Sequence, residues 1–220
     1  LGYTEARYVR RKDDYFIAYL SSQTGCGKAC QFCHLTQTNQ TQFENVTADG
    51  FIKQARHVMS HYNTIKYRQG EARIVHYNWM ARGEPLANEH FTGSAYKILS
   101  RLTDLAVQNN LIPKFNISTI MPREFRNKEL TEIFPGITPT IYYSLYSLRP
   151  EFRRKWIPGA MDPLKALDKL KQYQVDTKKI IKIHWAFIEG ENDDLETLDQ
   201  IIHAIEERNL QVEFNIVRYN

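Results

Sequence analysis

The stretch Ser21-Ser22-Gln23-Thr24-Gly25-Cys26-Gly27-Lys28-Ala29-Cys30-Gln31-Phe32-Cys33-His34 holds all 3 cysteines of the 220-residue chain. Their spacing, C-x3-C-x2-C over Cys26, Cys30 and Cys33, suits three corners of a cubane iron–sulfur cluster and leaves the fourth iron without a protein ligand. A cluster that only carries electrons normally takes a fourth cysteine, so its lack points to chemistry at an open iron. Phe32, just before the last cysteine, is placed to shield such a cluster from water. A second reading takes Cys26, Cys30, Cys33 and His34 as a Cys3His zinc site. Against it, adjacent Cys33 and His34 diverge, and zinc spacings usually separate ligands by at least two residues. Three close thiols in a chain otherwise free of cysteine fit a reducing compartment better than a disulfide scaffold.

Outward from this stretch the pattern alternates. Tyr15-Phe16-Ile17-Ala18-Tyr19-Leu20, aromatic and branched, predicts a buried strand that delivers its C-terminal end into the cysteine loop. Residues 1–14 form a lead-in, possible edge-strand material, and residues 15–220 form the core. Residues 35–45 are polar and read as irregular. A helix follows, capped by Thr47 and periodic in Phe51, Ile52, Ala55, Val58 and Met59. Strands are predicted over residues 74–80, 114–118, 140–145, 180–188 and 212–217, and helices over residues 88–107, 127–134, from 163 on, and 195–208. Strand–helix alternation predicts an α/β fold with a parallel sheet. Six such units are too few for a closed eight-unit barrel and fit a partial (βα)6 TIM-like barrel.

Cys26, Cys30 and Cys33 with Phe32 resemble the cluster motif of the radical S-adenosylmethionine (SAM) superfamily, and Ser21-Ser22-Gln23-x-Gly25-Cys26 is similar to the opening of its RlmN/Cfr group of RNA adenine methyltransferases. The resemblance implies a 4Fe–4S cluster on the three cysteines, SAM bound to the open iron, and reductive cleavage of SAM to a 5′-deoxyadenosyl radical. It also implies the radical SAM partial barrel, with the cluster loop after the first strand of the repeat.

Chemistry on parallel α/β sheets collects at the C-terminal strand ends, and further motifs fall there. Gly83 and Glu84, in Arg82-Gly83-Glu84-Pro85, look like the element that binds the SAM amino group; alone, Gly-Glu-Pro is usually a turn. Ser118 resembles a SAM-contacting serine, although a strand-end hydroxyl more often caps backbone. Ser144, Leu145 and Tyr146 match a Ser-Leu-His element, with Tyr146 in place of the imidazole. Asn192 matches a SAM-binding asparagine; its bland alternative is a helix cap. Arg218 and Asn220 fall in a closing stretch similar to Asn-Leu-Ile-Pro-Trp-Asn. Glu5 aligns with an acidic proton acceptor. Two further cysteines of the group's methyl-transfer route have no counterpart here: Tyr19 stands at or near one position, and the other would lie past Asn220.

The formal charge of +4 permits a polyanionic partner. Cations bunch at Arg7, Arg10, Arg11 and Lys12 and again at Arg149, Arg153, Arg154 and Lys155, the latter near the expected barrel mouth. No run approaches the ~20 apolar residues of a membrane span, and a cytoplasmic location is expected. The expected partners are RNA, ribosomal or transfer, and a reductase or flavodoxin-type electron donor. Two other functions compete: a radical SAM enzyme acting on a peptide or small molecule, and a non-catalytic RNA-binding or zinc-stabilised module.

Overall fold

Among the described residues, seven strands lie in one sheet in chain order, and six of them run parallel. The computed structural model describes residues 2–217; the end of the closing stretch, where Arg218 replaces the proline of the resembled element and Asn220 matches it, lies outside them. The strands are β1 (Arg7–Lys12), β2 (Tyr15–Tyr19), β3 (Ile74–Trp79), β4 (Ile112–Thr119), β5 (Thr140–Ser144), β6 (Ile181–Trp185) and β7 (Val212–Ile216). β1 pairs antiparallel with β2, with a register shift between Arg10 and Lys12, so the lead-in adds an edge strand to the same sheet. Among the described residues no pairing joins β7 back to β1, and the barrel is open along that side.

The helices are α1 (His34–Gln37), α2 (Ala48–Gln69), α3 (Glu89–Val107), α4 (Leu130–Ile133), α5 (Pro150–Trp156), α6 (Pro163–Thr177) and α7 (Leu195–Glu207). Side chains that accept from the first-turn amides begin four of them: Thr47 on α2, Asn88 on α3, Asp162 on α6 and Asp194 on α7. Their apolar stripes, including Ile98, Leu99 and Leu102 of α3 and Leu167 and Leu170 of α6, are fully buried. They pack on the outward residues of the strands: Phe16, Val75, Tyr77, Ile117, Ile141, Tyr143, Ile181 and Ile183. Among the described residues no helix is long and apolar enough to cross a membrane.

One expected helix shortens, and a stretch without an expected element folds as a helix. The helix expected over residues 127–134 shrinks to α4, closed by Glu129 and Glu132 in a reciprocal capping box and stopped before Pro135-Gly136, where Gly136 takes φ +75°. The basic stretch after Arg149 is a helix, α5, started by Pro150 with Glu151 in its first turn and Arg153, Arg154 and Lys155 in its last. That charge order suits the helix dipole.

Candidate active site

The cysteine loop leaves β2 at Leu20, whose amide donates to Asn78 O at 2.8 Å. Buried polar groups then pin it in place. Gln54 of α2 accepts from Ser21 N at 2.8 Å and donates back to Ser21 O at 3.0 Å. Asn88 Nδ2 bridges Ser22 O and Val46 O at 2.7 and 2.9 Å. Arg82, also buried, donates Nε to Thr24 O at 3.0 Å and its guanidinium to Gln40 Oε1. The loop is therefore braced from α2, from the turn after β3 and from the residues beyond it, before any ligand is considered.

The turn after β3 packs directly on this loop. Gly83 sits at φ +86°, and a Cβ there would come within 2.6–2.7 Å of Gln23 and Ser22. Only glycine fits both the conformation and the contact. Ser22 N and Gln23 N donate to Arg82 O at 2.7 and 3.2 Å, and Glu84 N donates to Gln23 Oε1 at 3.0 Å.

One cavity of about 320 Å³ opens at the C-terminal ends of the strands. Cys26, Cys30 and Cys33 line it, together with Gly83, Glu84, Ser118, Ser144 and Tyr146. Burial pushes the Cys26 thiol up to about 11, with Glu84 and Cys33 adding to the rise. Burial also raises Cys30, and the neighbouring thiols add to it. Protein groups alone thus keep these thiols protonated, and a bound metal would reverse that by taking them as thiolates. Among the described residues no three His, Cys, Asp or Glu side chains converge on a single metal ion. His34 opens α1. Cluster ligands stand on separate irons and need no such convergence, so three thiols around one cavity fit a cubane.

Glu84 is buried, and its carboxylate ties β3 to β4: it accepts from Thr119 Oγ1 at 2.7 Å, Ile120 N at 3.0 Å and Leu86 N at 3.1 Å. Burial raises its pKa to about 7 against the pull of those donors. Tyr146, in the left-handed region at φ +60°, lays its ring against Phe32 with centroids 4.7 Å apart. Phe32 is half-buried and packs at the cavity wall beside Cys33, the position expected of a shield. Burial raises the Tyr146 phenol, and the nearby Cys30 thiol adds to it.

Three expected residues stand off the cavity. Asn192 is fully buried and uses its whole amide on backbone: it accepts from Ile188 N at 2.7 Å and donates to Tyr146 O at 2.9 Å and Ala186 O at 3.0 Å. It clamps the loop after β6 to the loop after β5, where a helix cap was the bland alternative; Asp194 takes that cap. Leu145 is fully buried in the apolar core. Glu5 holds Ser21 through two backbone bonds, Glu5 N to Ser21 Oγ at 2.8 Å and Ser21 Oγ to Glu5 O at 2.7 Å, and its carboxylate lies 3.4 Å from Arg7 Nε.

His184, which the sequence places with His76 on strands where they could face the barrel interior, lines the cavity from the end of β6. Its Nδ1 lies 3.4 Å from Ser118 Oγ, and its ring is 5.0 Å from that of Tyr142; burial lowers its pKa to about 4. The signal was parity: Ser118, Ser144 and His184 all face inward near the ends of adjacent strands. Lys28 was passed over. Buried in the loop, its ammonium reaches Glu124 at 2.5 Å.

No family model matches the chain. In sequence the chain is 25% identical over 203 residues to the dual-specificity RNA methyltransferase RlmN of Campylobacter lari, covering 91% of this chain and 53% of that one. To RlmN of Aliarcobacter butzleri it is 26% identical over 217 residues, 96% of this chain and 55% of the other. The chain thus spans about half the length of the curated relatives it matches. In structure, a radical SAM methyltransferase from Sphaerobacter thermophilus superposes with a TM-score of 0.68 at 17% identity, over 96% of this chain and 58% of that one. The hydrogenase maturase HydG gives a TM-score of 0.59 at 14% identity, over 93% and 43%. The chain is RlmN-like in sequence, and its fold is the partial barrel of those neighbours.

Proposed function

We propose that this RlmN-like chain is the catalytic core of a radical SAM enzyme that modifies RNA, with an adenine base as the target. The observation that carries the reading is the meeting of Cys26, Cys30 and Cys33 with Gly83, Glu84, Ser118 and Ser144 around one cavity at the strand ends. The three cysteines would hold a 4Fe–4S cluster, which when bound with SAM supplies the reductive cleavage of that cofactor. The strand-end groups Gly83, Glu84, Ser118, Ser144 and Tyr146 would position SAM. Backbone groups beside Gly83 and the Glu84 carboxylate suit an ammonium, hydroxyls at Ser118 and Ser144 suit a ribose or carboxylate, and the Tyr146 ring suits an adenine face.

Asn192 and Leu145 serve the site indirectly in this reading, by fixing the loops on which Tyr146 stands. Glu5, tethered to Ser21 at the sheet edge, would act as proton acceptor for a substrate reaching over β1. Any RNA base must leave its stack to enter, because a cluster buried at the strand ends cannot reach into a duplex. Methyl transfer by the group's two-cysteine route would need thiols that these residues do not contain, and Tyr19 carries its ring under Arg7 instead, 5.1 Å from the guanidinium carbon.

The test is anaerobic reconstitution with iron and sulfide, then incubation with SAM, a low-potential reductant and total RNA. The expected results are about four irons per chain, 5′-deoxyadenosine dependent on reductant, and a mass shift on adenosine after nucleoside digestion. A colourless, iron-free protein under these conditions would refute the proposal.

A further inference from the structure

A second cleft lies beside the first, outside the cavity described above. It encloses about 350 Å³ between α5, the turn that follows β4 and the start of α6. Arg123, Arg126, Arg153, Arg154 and Lys165 line it against a single acid, Asp162. Its floor is apolar, with Leu148, Ile157 and Met161.

The cations do different things. Arg153 is buried and spent on backbone: Nη1 donates to Leu145 O at 3.0 Å and Ser147 O at 3.2 Å, and Nη2 donates to Met161 O at 3.1 Å. It holds the cleft's shape and leaves its charge beneath the floor. Arg123 donates Nε to Ala160 O at 3.3 Å. Arg126 and Arg154 are exposed, and their guanidinium groups have no hydrogen-bond or ion-pair partner among the described residues. The other cations of the α5 run are already neutralised: Arg149 meets Asp194 at 3.0 Å, and Lys155 meets Glu191. Positive charge in this region is therefore concentrated on the cleft rather than spread along the helix.

The cleft also abuts the cysteine loop. Gly159 packs so tightly on Lys28 that a Cβ would come within 2.9–3.1 Å of Lys28 O and Cα. Gln31 N donates to Trp156 O at 2.9 Å, and Arg123 N donates to Gly159 O at 3.1 Å. One loop's width separates the basic walls from the thiols.

We infer that this cleft holds the sugar–phosphate backbone of the RNA next to the nucleotide that enters the active-site cavity, with Arg126 and Arg154 each on a phosphate. The inference rests on the RNA reading above and adds to it the surface that grips the substrate. Free guanidinium forks match phosphate oxygens in pairs, and an apolar floor accommodates a ribose or base edge between them. A concave site this small fits a polynucleotide strand better than an acidic protein face, which would need a broad patch. Neighbouring phosphates also remain close to a base that has swung out, so a grip one loop away is where an extruded nucleotide needs it.

The test uses the whole chain and a fluorescein-labelled RNA hairpin with a single-stranded loop, followed by anisotropy across a salt series. R126A/R154A is expected to weaken binding by about ten-fold at moderate salt and to lower the log–log salt slope by about 1 to 2. R126K/R154K should restore most of the slope but not all of the affinity, because an ammonium lacks the fork. K53A/R56A, the same charge loss on exposed α2 positions, should change neither. Thermal unfolding and RNA-free SAM cleavage of R126A/R154A should match the wild type. Wild-type affinity and slope in R126A/R154A would overturn the cleft while leaving the RNA reading intact. No RNA binding by the wild-type chain would overturn both. Retained RNA binding with lost docking of an acidic flavodoxin would give the cleft to a protein and overturn the inference.

Discussion

The two faces of the same strands do opposite work. On the outer face, Val75, Tyr77, Ile117, Ile141, Tyr143 and Ile183 are sealed under helices and are at most 0% exposed. On the inner face, one residue along in each strand, the side chains are polar and talk to one another. Asn116 donates to Asn78 at 2.7 Å and meets His76 at 3.2 Å, Ser118 meets His184, and Lys182 pairs with Glu213. A period of two residues is enough to write a core and a site into one segment. The lesson is that stability and chemistry are separable here by parity, which makes the comparison breakable.

The largest expected effect falls at the mouth. Cys30→Ala removes a buried thiol and should abolish iron uptake on reconstitution while costing little in folding. Iron per chain and far-ultraviolet circular dichroism check the two halves. A variant that keeps a full complement of iron would show that the three thiols do not act as one set.

On the outer face the order reverses. Leu167 of α6 is fully buried, and Leu167→Ala should cost about 2–5 kcal/mol in urea unfolding through lost burial and a residual cavity. Iron binding in the folded fraction should be unchanged. If reconstituted iron falls along with stability at saturating native conditions, the two faces are not independent.

Asn192 sits between these extremes. It is buried like an outer residue yet polar like an inner one, and it joins two loops at the mouth. Asn192→Ala leaves one buried amide and two buried carbonyls short of a partner and should destabilise by on the order of 3 kcal/mol. Asn192→Asp should be nearly as harmful, because a carboxylate cannot donate to the carbonyls of Tyr146 and Ala186. A change confined to SAM affinity, with unfolding untouched, would instead make the residue a ligand contact.

How much of this was legible depends on the range over which each signal acts. Strands such as Ile181–Trp185 and Thr140–Ser144 announce themselves through branched and aromatic runs, because their outer residues must be apolar. The cysteine loop is local too, and its spacing is visible in one line. β1 is harder: Arg7-Tyr8-Val9-Arg10-Arg11-Lys12 is charged and partly exposed, as an edge strand tends to be. α5 was hidden by its cations, although Pro150 and the acid-to-base order of its ends were the available cue. What no local pattern carries is partner choice. Glu84 reads from sequence as a ligand contact alone; that it also ties the ends of β3 and β4 together depends on Thr119 and Ile120 arriving from another unit. Asn192 likewise read as a SAM contact or a helix cap, and its bond to Tyr146 O depends on a loop from another unit.

The finest test of the comparison is titration of the inner face. His184 has its pKa lowered from 6.5 to about 4 by burial, and His76 is lowered for the same reason, with Lys114 adding to it. Above about pH 6.5 both folded and unfolded chains hold His184 neutral, and it costs nothing. As pH falls from there towards 4, the unfolded chain takes up a proton that the folded chain refuses, so stability declines and then levels off below the folded pKa. The shift sets a ceiling of about 3 kcal/mol on the loss, which partial exposure reduces. Glu84 acts in the opposite sense over an overlapping range, because its folded pKa is raised from 4.5 to about 7 and its protonated form is favoured on folding. The wild-type curve alone is therefore a sum of opposing slopes, and the readout is a difference. His184→Asn keeps a polar side chain beside Ser118 and removes the titration, so its stability should fall less steeply than the wild type between pH 6.5 and 4.5, measured by urea unfolding at half-unit steps. Parallel curves would mean that the imidazole is as well solvated as it is in the unfolded chain, and that the inner face near the mouth is open water rather than a dry, polar wall.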